Sequence, residues 1–123
     1  MMLKTLGLVA ALILGSAAPA LAQGMCSEPI APAAVDGNVA TSIQMGAAHD
    51  DVVTFLKQSD DYQNCVIKEL NDAKADALKA KKDVDPALEP AAGAKIQANQ
   101  GLKEKVGAEF NASVLAYKAK HPK

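Results

Sequence analysis

The stretch TSIQMGAAHDDVVTFLKQSDDYQNCVIKELNDAKADALKAKK, residues 41–82, decides the fold. It opens with Thr41-Ser42-Ile43-Gln44, a capping box in which Thr41 is the N-cap and Gln44 follows three residues on. Apolar residues then recur at Met45, Ala48, Val52, Phe55, Leu56, Tyr62, Val66, Leu70, Ala73 and Ala77. Steps of three and four keep them on one face of a helix. Lys79, Lys81 and Lys82 at the end suit the negative pole of the helix dipole. The pattern predicts one helix over about 41–82. Ser59-Asp60-Asp61 is the one point at which it would divide, because serine and aspartate favour caps over interiors.

Downstream, Asp83-Val84-Asp85-Pro86 and Glu89-Pro90 break the pattern, since proline inside a helix costs about 3 kcal/mol. A connection over 83–89 with a short turn from Asp85 is expected, then a second helix from Pro90 to about Lys120, ending before Pro122. Its apolar face is Ala98, Leu102, Val106, Phe110, Val114 and Tyr117. Two long helices with a short connection pack antiparallel, so the predicted class is all-α, a two-helix hairpin of coiled-coil type. A reversal centred near residue 86 pairs Phe55 with Tyr117, Tyr62 with Phe110, Val66 with Val106, Leu70 with Leu102 and Ala73 with Ala98. Gly93, Gly101 and Gly107 each weaken the second helix by about 1 kcal/mol relative to alanine, and close helix approach is their expected use.

Upstream, residues 1–22 have the form of a signal peptide: Lys4, an apolar run from Leu6 to Leu14, and Ala20-Leu21-Ala22 before the cut. An exported, periplasmic or secreted location is expected, with no stable membrane anchor once the leader is removed. Residues 23–40 form an extended, proline-containing arm with Pro29 and Pro32, ending in an Asp36-Gly37 turn. The two cysteines, Cys26 and Cys65, meet an oxidising compartment and are expected to form a disulfide. Lipidation of Cys26 is disfavoured because Met25 and Gln23 stand where a lipoprotein signal wants a small and an apolar residue. The disulfide turns the arm back along the first helix. From Thr41 to Cys65 a helix rises roughly 36 Å, while the arm from Cys26 to Thr41 spans about 47 Å as polyproline. Pro29 should then lie near Ser59 and Tyr62, and Pro32 near Val52 to Leu56. A closed loop of this length stabilises the fold by roughly 4 kcal/mol in the chain-entropy model.

Composition excludes several classes. The chain has 123 residues and a formal net charge of −1, and its 13 basic residues are all lysine, so it lacks the arginine most used to read phosphate and guanine. Nucleic acid is not an expected partner. His49-Asp50-Asp51 is the one cluster with a metal-binding or acid–base look, and a helix turns the ring of His49 toward residues 45, 46, 52 and 53 rather than toward the two aspartates. Asp60-Asp61, Asp72 with Asp76, and Asp83 with Asp85 are read as solvated faces and caps. Ser42, Ser59 and Ser113 lack a GxSxG context, and no phosphate-cradling glycine loop occurs. No cofactor and no catalysis are expected.

The arm Cys26-Ser27-Glu28-Pro29, the Val35-Asp36-Gly37 turn with Ala40, then Met45 and Asp61-Tyr62-Gln63-Asn64-Cys65 together resemble a group of short exported proteins of alphaproteobacteria. Its members share a leading cysteine, a proline arm, a DG turn and a Tyr-x-x-Cys on the first helix. The resemblance covers about Cys26 to Leu70 and implies a periplasmic location and a Cys26 to Cys65 bond, with no activity attached. At the level of small helical periplasmic proteins the chain also resembles stress chaperones of the Spy type, whose paired LTxxQ motifs it lacks.

The functional expectation is a non-catalytic helical binding or structural module, completed by self-association or a periplasmic protein partner. Met45, Val52, Leu56 and Tyr62 are the candidates to flank an interaction face, and equally candidates for the core. A holdase-like envelope chaperone and a weak metal binder using His49 are the alternatives.

Overall fold

The computed structural model describes residues 25–123, so the leader expected over 1–22 and the first two residues of the arm lie outside the described residues. Two helices, α1 (Ser42–Lys79) and α2 (Leu88–Lys120), pack antiparallel, and no strand occurs among the described residues. The capping box forms in full: the Thr41 hydroxyl accepts from the Gln44 N–H, and the Gln44 side chain accepts from the Thr41 N–H. Ser59-Asp60-Asp61 does not divide α1. Ser59 is buried among neighbours that satisfy it, Asp60 pairs with Lys103 of α2, and Asp61 pairs with Lys57 one turn back.

α1 ends three residues earlier than the lysine run suggests. Lys81 takes a positive φ of 53°, its N–H donates to the Leu78 carbonyl, and the Lys82 N–H donates to the Ala77 carbonyl. These are the two bonds of a Schellman motif, made here with lysine where glycine is usual. α2 begins two residues earlier than expected. The Asp85 carboxylate accepts from the Ala87 N–H, and the Asp85 carbonyl from the Leu88 N–H. Pro90 therefore stands third in the helix, where the missing N–H still has no intrahelical acceptor to lose.

The chain reverses at Lys81 rather than near residue 86, and the helix register moves accordingly by about ten residues, nearly three turns. Ser59 faces Asn99, Asp60 pairs with Lys103, and Lys74 pairs with Glu89. The expected pairing of Tyr62 with Phe110 and of Val66 with Val106 is replaced: Tyr62 and Val66 pack with Ala92, with Leu70 and Ile96 against them. The inner face of α2 is rotated as well. Asn99 is buried while Ala98 is exposed, and Ser113 is buried. Residues 45, 48, 52, 55, 59, 62 and 66 of α1 face 92, 96, 99, 103, 106, 110 and 113 of α2 in alternating steps of three and four, the repeat of a coiled-coil seam.

The arm supplies the third side of the core. Pro29 lies beside Tyr62, as the polyproline rise predicts. Pro32 and Val35 line a crevice with Val52 of α1 and with Val106 and Phe110 of α2, so the arm lies between the helices instead of along α1 alone. At its end the Asp36 carboxylate accepts from the Asn38 N–H and the Asp36 carbonyl from the Ala40 N–H, which forms the expected turn. Gly37 and Ala40 are buried by it. The buried Ser113 hydroxyl donates to the Val35 carbonyl and clamps the arm to α2.

Candidate functional site

Cys26 and Cys65 form the disulfide that ties the arm to α1, with their Cα atoms 5.6 Å apart. The groove beside it, about 420 Å³ in volume, is lined by Met25, Glu28, Pro29, Gln58, Asp61 and Tyr62 as well as the cystine. Cys65 sits there because α1 turns it toward the arm, and Glu69, one turn further on, shares that side. Burial raises the Tyr62 phenol above its ordinary pKa of 10.0, and the carboxylates of Glu28 and Glu69 raise it further. The groove is thus an acidic-rimmed cleft with a neutral phenol and a half-buried disulfide at its base.

The residues proposed from sequence to flank an interaction face lie inside or against the hairpin. Met45 and Tyr62 are buried, and Val52 and Leu56 are half-buried. His49 is exposed, with its ring 6.0 Å from that of Phe110 and Nδ1 3.3 Å from an Asp50 carboxylate oxygen. Asp50 therefore does reach the ring, because adjacent exposed side chains swing together at the helix surface. His121 stacks on Tyr117 and its backbone N–H donates to the Tyr117 carbonyl, closing the end of α2.

Four of the six carboxylates in the aspartate pairs are engaged in ion pairs and turns. Asp60 is tied to Lys103 across the hairpin, Asp61 to Lys57, and Asp72 to Lys68, while Asp85 caps the turn before α2. The hydrogen bond to Asp72, then the charge of Asp72, holds the exposed Lys68 ammonium above its usual pKa. Ser59 and Ser113 spend their hydroxyls on packing contacts.

Two features escape a reading based on apolar spacing. The first is Glu69, whose place four residues after Cys65 is visible in the sequence but gains meaning only once the arm is docked. The second is the outer side of α2. Ala94, Ala98, Gly101, Ala108, Ala112 and Leu115 are all exposed and follow the same alternating steps, with Lys105 completing the series. A methyl group at Gly93, Gly101 or Gly107 would meet nothing within 4 Å, so these glycines do not serve close approach within the hairpin, contrary to expectation. No helix of the described residues is long and apolar enough to cross a membrane.

No family model matches the chain, and no curated protein or solved structure does so either.

Proposed function

We propose that this protein is an exported, non-catalytic binding module that presents the outer face of α2 to a helix of a second copy or of another periplasmic protein. The observation that carries this reading is that α2 has two seams at coiled-coil spacing, one covered by α1 and the arm, the other exposed and built from alanine, glycine and one leucine, with Lys105 as its one charged member. Small side chains in such a series let a second helix approach to about 8 Å, the short end of the usual range. Export is supported by the leader-like residues 1–22 and by a disulfide, which persists in oxidising compartments.

The test is sedimentation of the oxidised protein, alone and in a periplasmic extract, beside Ala108→Glu. This substitution places a charge on the exposed seam and leaves the inner face untouched. The expected result is a discrete dimer or a retained partner that Ala108→Glu removes while helix content stays constant. A monomer without a partner, or an assembly indifferent to Ala108→Glu, overturns the reading.

A holdase-like reading comes second. Ile30, Val39 and Ile43 are 91%, 77% and 83% exposed, which gives the arm and the start of α1 apolar surface for an unfolded client. Suppression of client aggregation at stoichiometric protein, lost on Ile30→Ser with Ile43→Ser, is the outcome that favours it.

A further inference from the structure

The disulfide end of the groove holds a donor set that the binding role does not use. Cys65 and Glu69 rise from the same side of α1, one turn apart, and the arm brings Cys26 against them. The two sulfurs and a Glu69 carboxylate oxygen all lie within 4.8 Å of one another, and all three residues are half-buried. A tetrahedral zinc ion, with Zn–S near 2.3 Å and Zn–O near 2.0 Å, holds such donors roughly 3.5–4 Å apart. The sulfurs have to separate to reach that spacing, and each already lies within 4.8 Å of the carboxylate oxygen.

We propose that the dithiol form of this protein binds a zinc-like divalent ion through Cys26, Cys65 and Glu69, leaving one coordination position open, so that disulfide and metal are alternative occupants of one site. The redox step balances with an external dithiol. Two electrons from the reductant break the Cys26–Cys65 bond, its two protons pass to the protein sulfurs, and the reductant closes to its own disulfide. The metal ion then displaces both thiol protons to solvent and binds two thiolates and a carboxylate. Thiolate donors with a single carboxylate suit zinc over calcium or magnesium, which take all-oxygen shells.

Reduction does not release the arm at its other end. Val35 stays hydrogen-bonded to Ser113 and Gly37 stays wedged against α2, so the free Cys26 thiol is confined to the short reach of the segment before Val35. Confinement of this kind gives an effective concentration in the millimolar range and makes closure of the site an intramolecular event.

The experiment titrates cobalt(II), a spectroscopic stand-in for zinc, into the purified protein reduced by a water-soluble phosphine, with circular dichroism and sedimentation on the same samples. One equivalent per chain is expected to bind with thiolate-to-cobalt charge transfer and no change in oligomeric state, and none to the oxidised protein. Glu69→Gln is expected to keep the thiolate bands and weaken binding about tenfold or more, a loss at least as large as that from removing an outer-shell partner. Cys65→Ser abolishes the bands. Absence of charge transfer in the reduced protein, unchanged affinity in Glu69→Gln, or a cobalt-bridged dimer overturns the proposal. If reduction alone melts the helices, cobalt has to restore them, and failure to do so also overturns it.

Discussion

Gly37 lies so close to Ser113 that a methyl group on the glycine would sit 1.9 Å from the Ser113 carbonyl oxygen and 2.9 Å from the backbone nitrogen of Tyr117. The obstacle is helix backbone, which has no rotamer to move aside. Gly37→Ala is therefore expected to push the turn off α2 and to cost about 2 kcal/mol or more, the upper range for overpacking. Gly46→Ala, where the added methyl meets nothing, is expected to stabilise α1 by about 1 kcal/mol. Urea denaturation of the two variants, read as opposite shifts of midpoint, checks the pair.

Ser59 and Asn99 are both fully buried, and the Asn99 amide donates to the Ser59 hydroxyl while accepting from Gln63. Ser59→Ala strands that amide proton and is expected to cost about 1–3 kcal/mol. Ser59→Ala combined with Asn99→Leu removes the unmet donor and recovers most of the loss, at the expense of a polar layer that fixes register. A double-mutant cycle by thermal denaturation, with amide spectra of the double variant to detect a second register, is the measurement.

Lys81 holds a left-handed backbone conformation that costs a residue with a side chain about 1–2 kcal/mol. Lys81→Gly keeps both bonds of the helix-ending motif and relieves that cost, against a larger loss of backbone entropy on folding. The net expectation is a gain of roughly 0.5–1 kcal/mol, checked by melting temperature.

The Glu69 carboxylate stands within 4.8 Å of the cystine sulfurs. An attacking thiolate approaches against that charge, and a unit charge at about 4 Å is worth about 1 kcal/mol in water. Glu69→Gln is expected to speed reduction by glutathione about fivefold at low ionic strength. The difference shrinks in high salt and vanishes for a neutral phosphine. Stopped reduction time courses with the two reagents test this.

Tyr62 releases its proton above the ordinary pH of 10.0 in the folded protein, because burial and then Glu28 and Glu69 disfavour the phenolate. The unfolded chain ionises first as pH rises, so the stability associated with the neutral phenol is complete below about pH 10 and is lost as pH climbs through the raised value. Tyr62→Phe is expected to flatten the alkaline decline while leaving stability near neutrality little changed. Denaturation midpoints followed from pH 8 to 11 decide it.

The sequence carries the start of α1 plainly, because Thr41 and Gln44 act within four residues of each other. It carries the two-helix class for a similar reason: Pro86 and the long periodic runs on either side are local signals. The register is different. It depends on whether the chain turns at Lys81 or five residues later, and a lysine in a left-handed conformation leaves no mark that distinguishes it from its neighbours. The inner face of α2 was obscured by Asn99 and Ser113, polar residues that become good interior residues only when Ser59 and Val35 stand opposite them. The donor set at the disulfide is of the same kind, since Glu69 acquires a partner only through an arm that lies far from it in the chain.

The position of the cystine also determines how the protein carries a load. Tension applied to residues ahead of Cys26 crosses the sulfur bridge and enters α1 at Cys65, past the midpoint of that helix, bypassing the intervening segment of the 39-residue span. The capped start of α1, the Asp36 turn and the wedge of Gly37 into α2 all sit off the force path. A pull between the two termini therefore leaves the arm and the part of α1 before Cys65 slack, and loads α1 from Cys65 to the reversal at Lys81 and then the whole of α2.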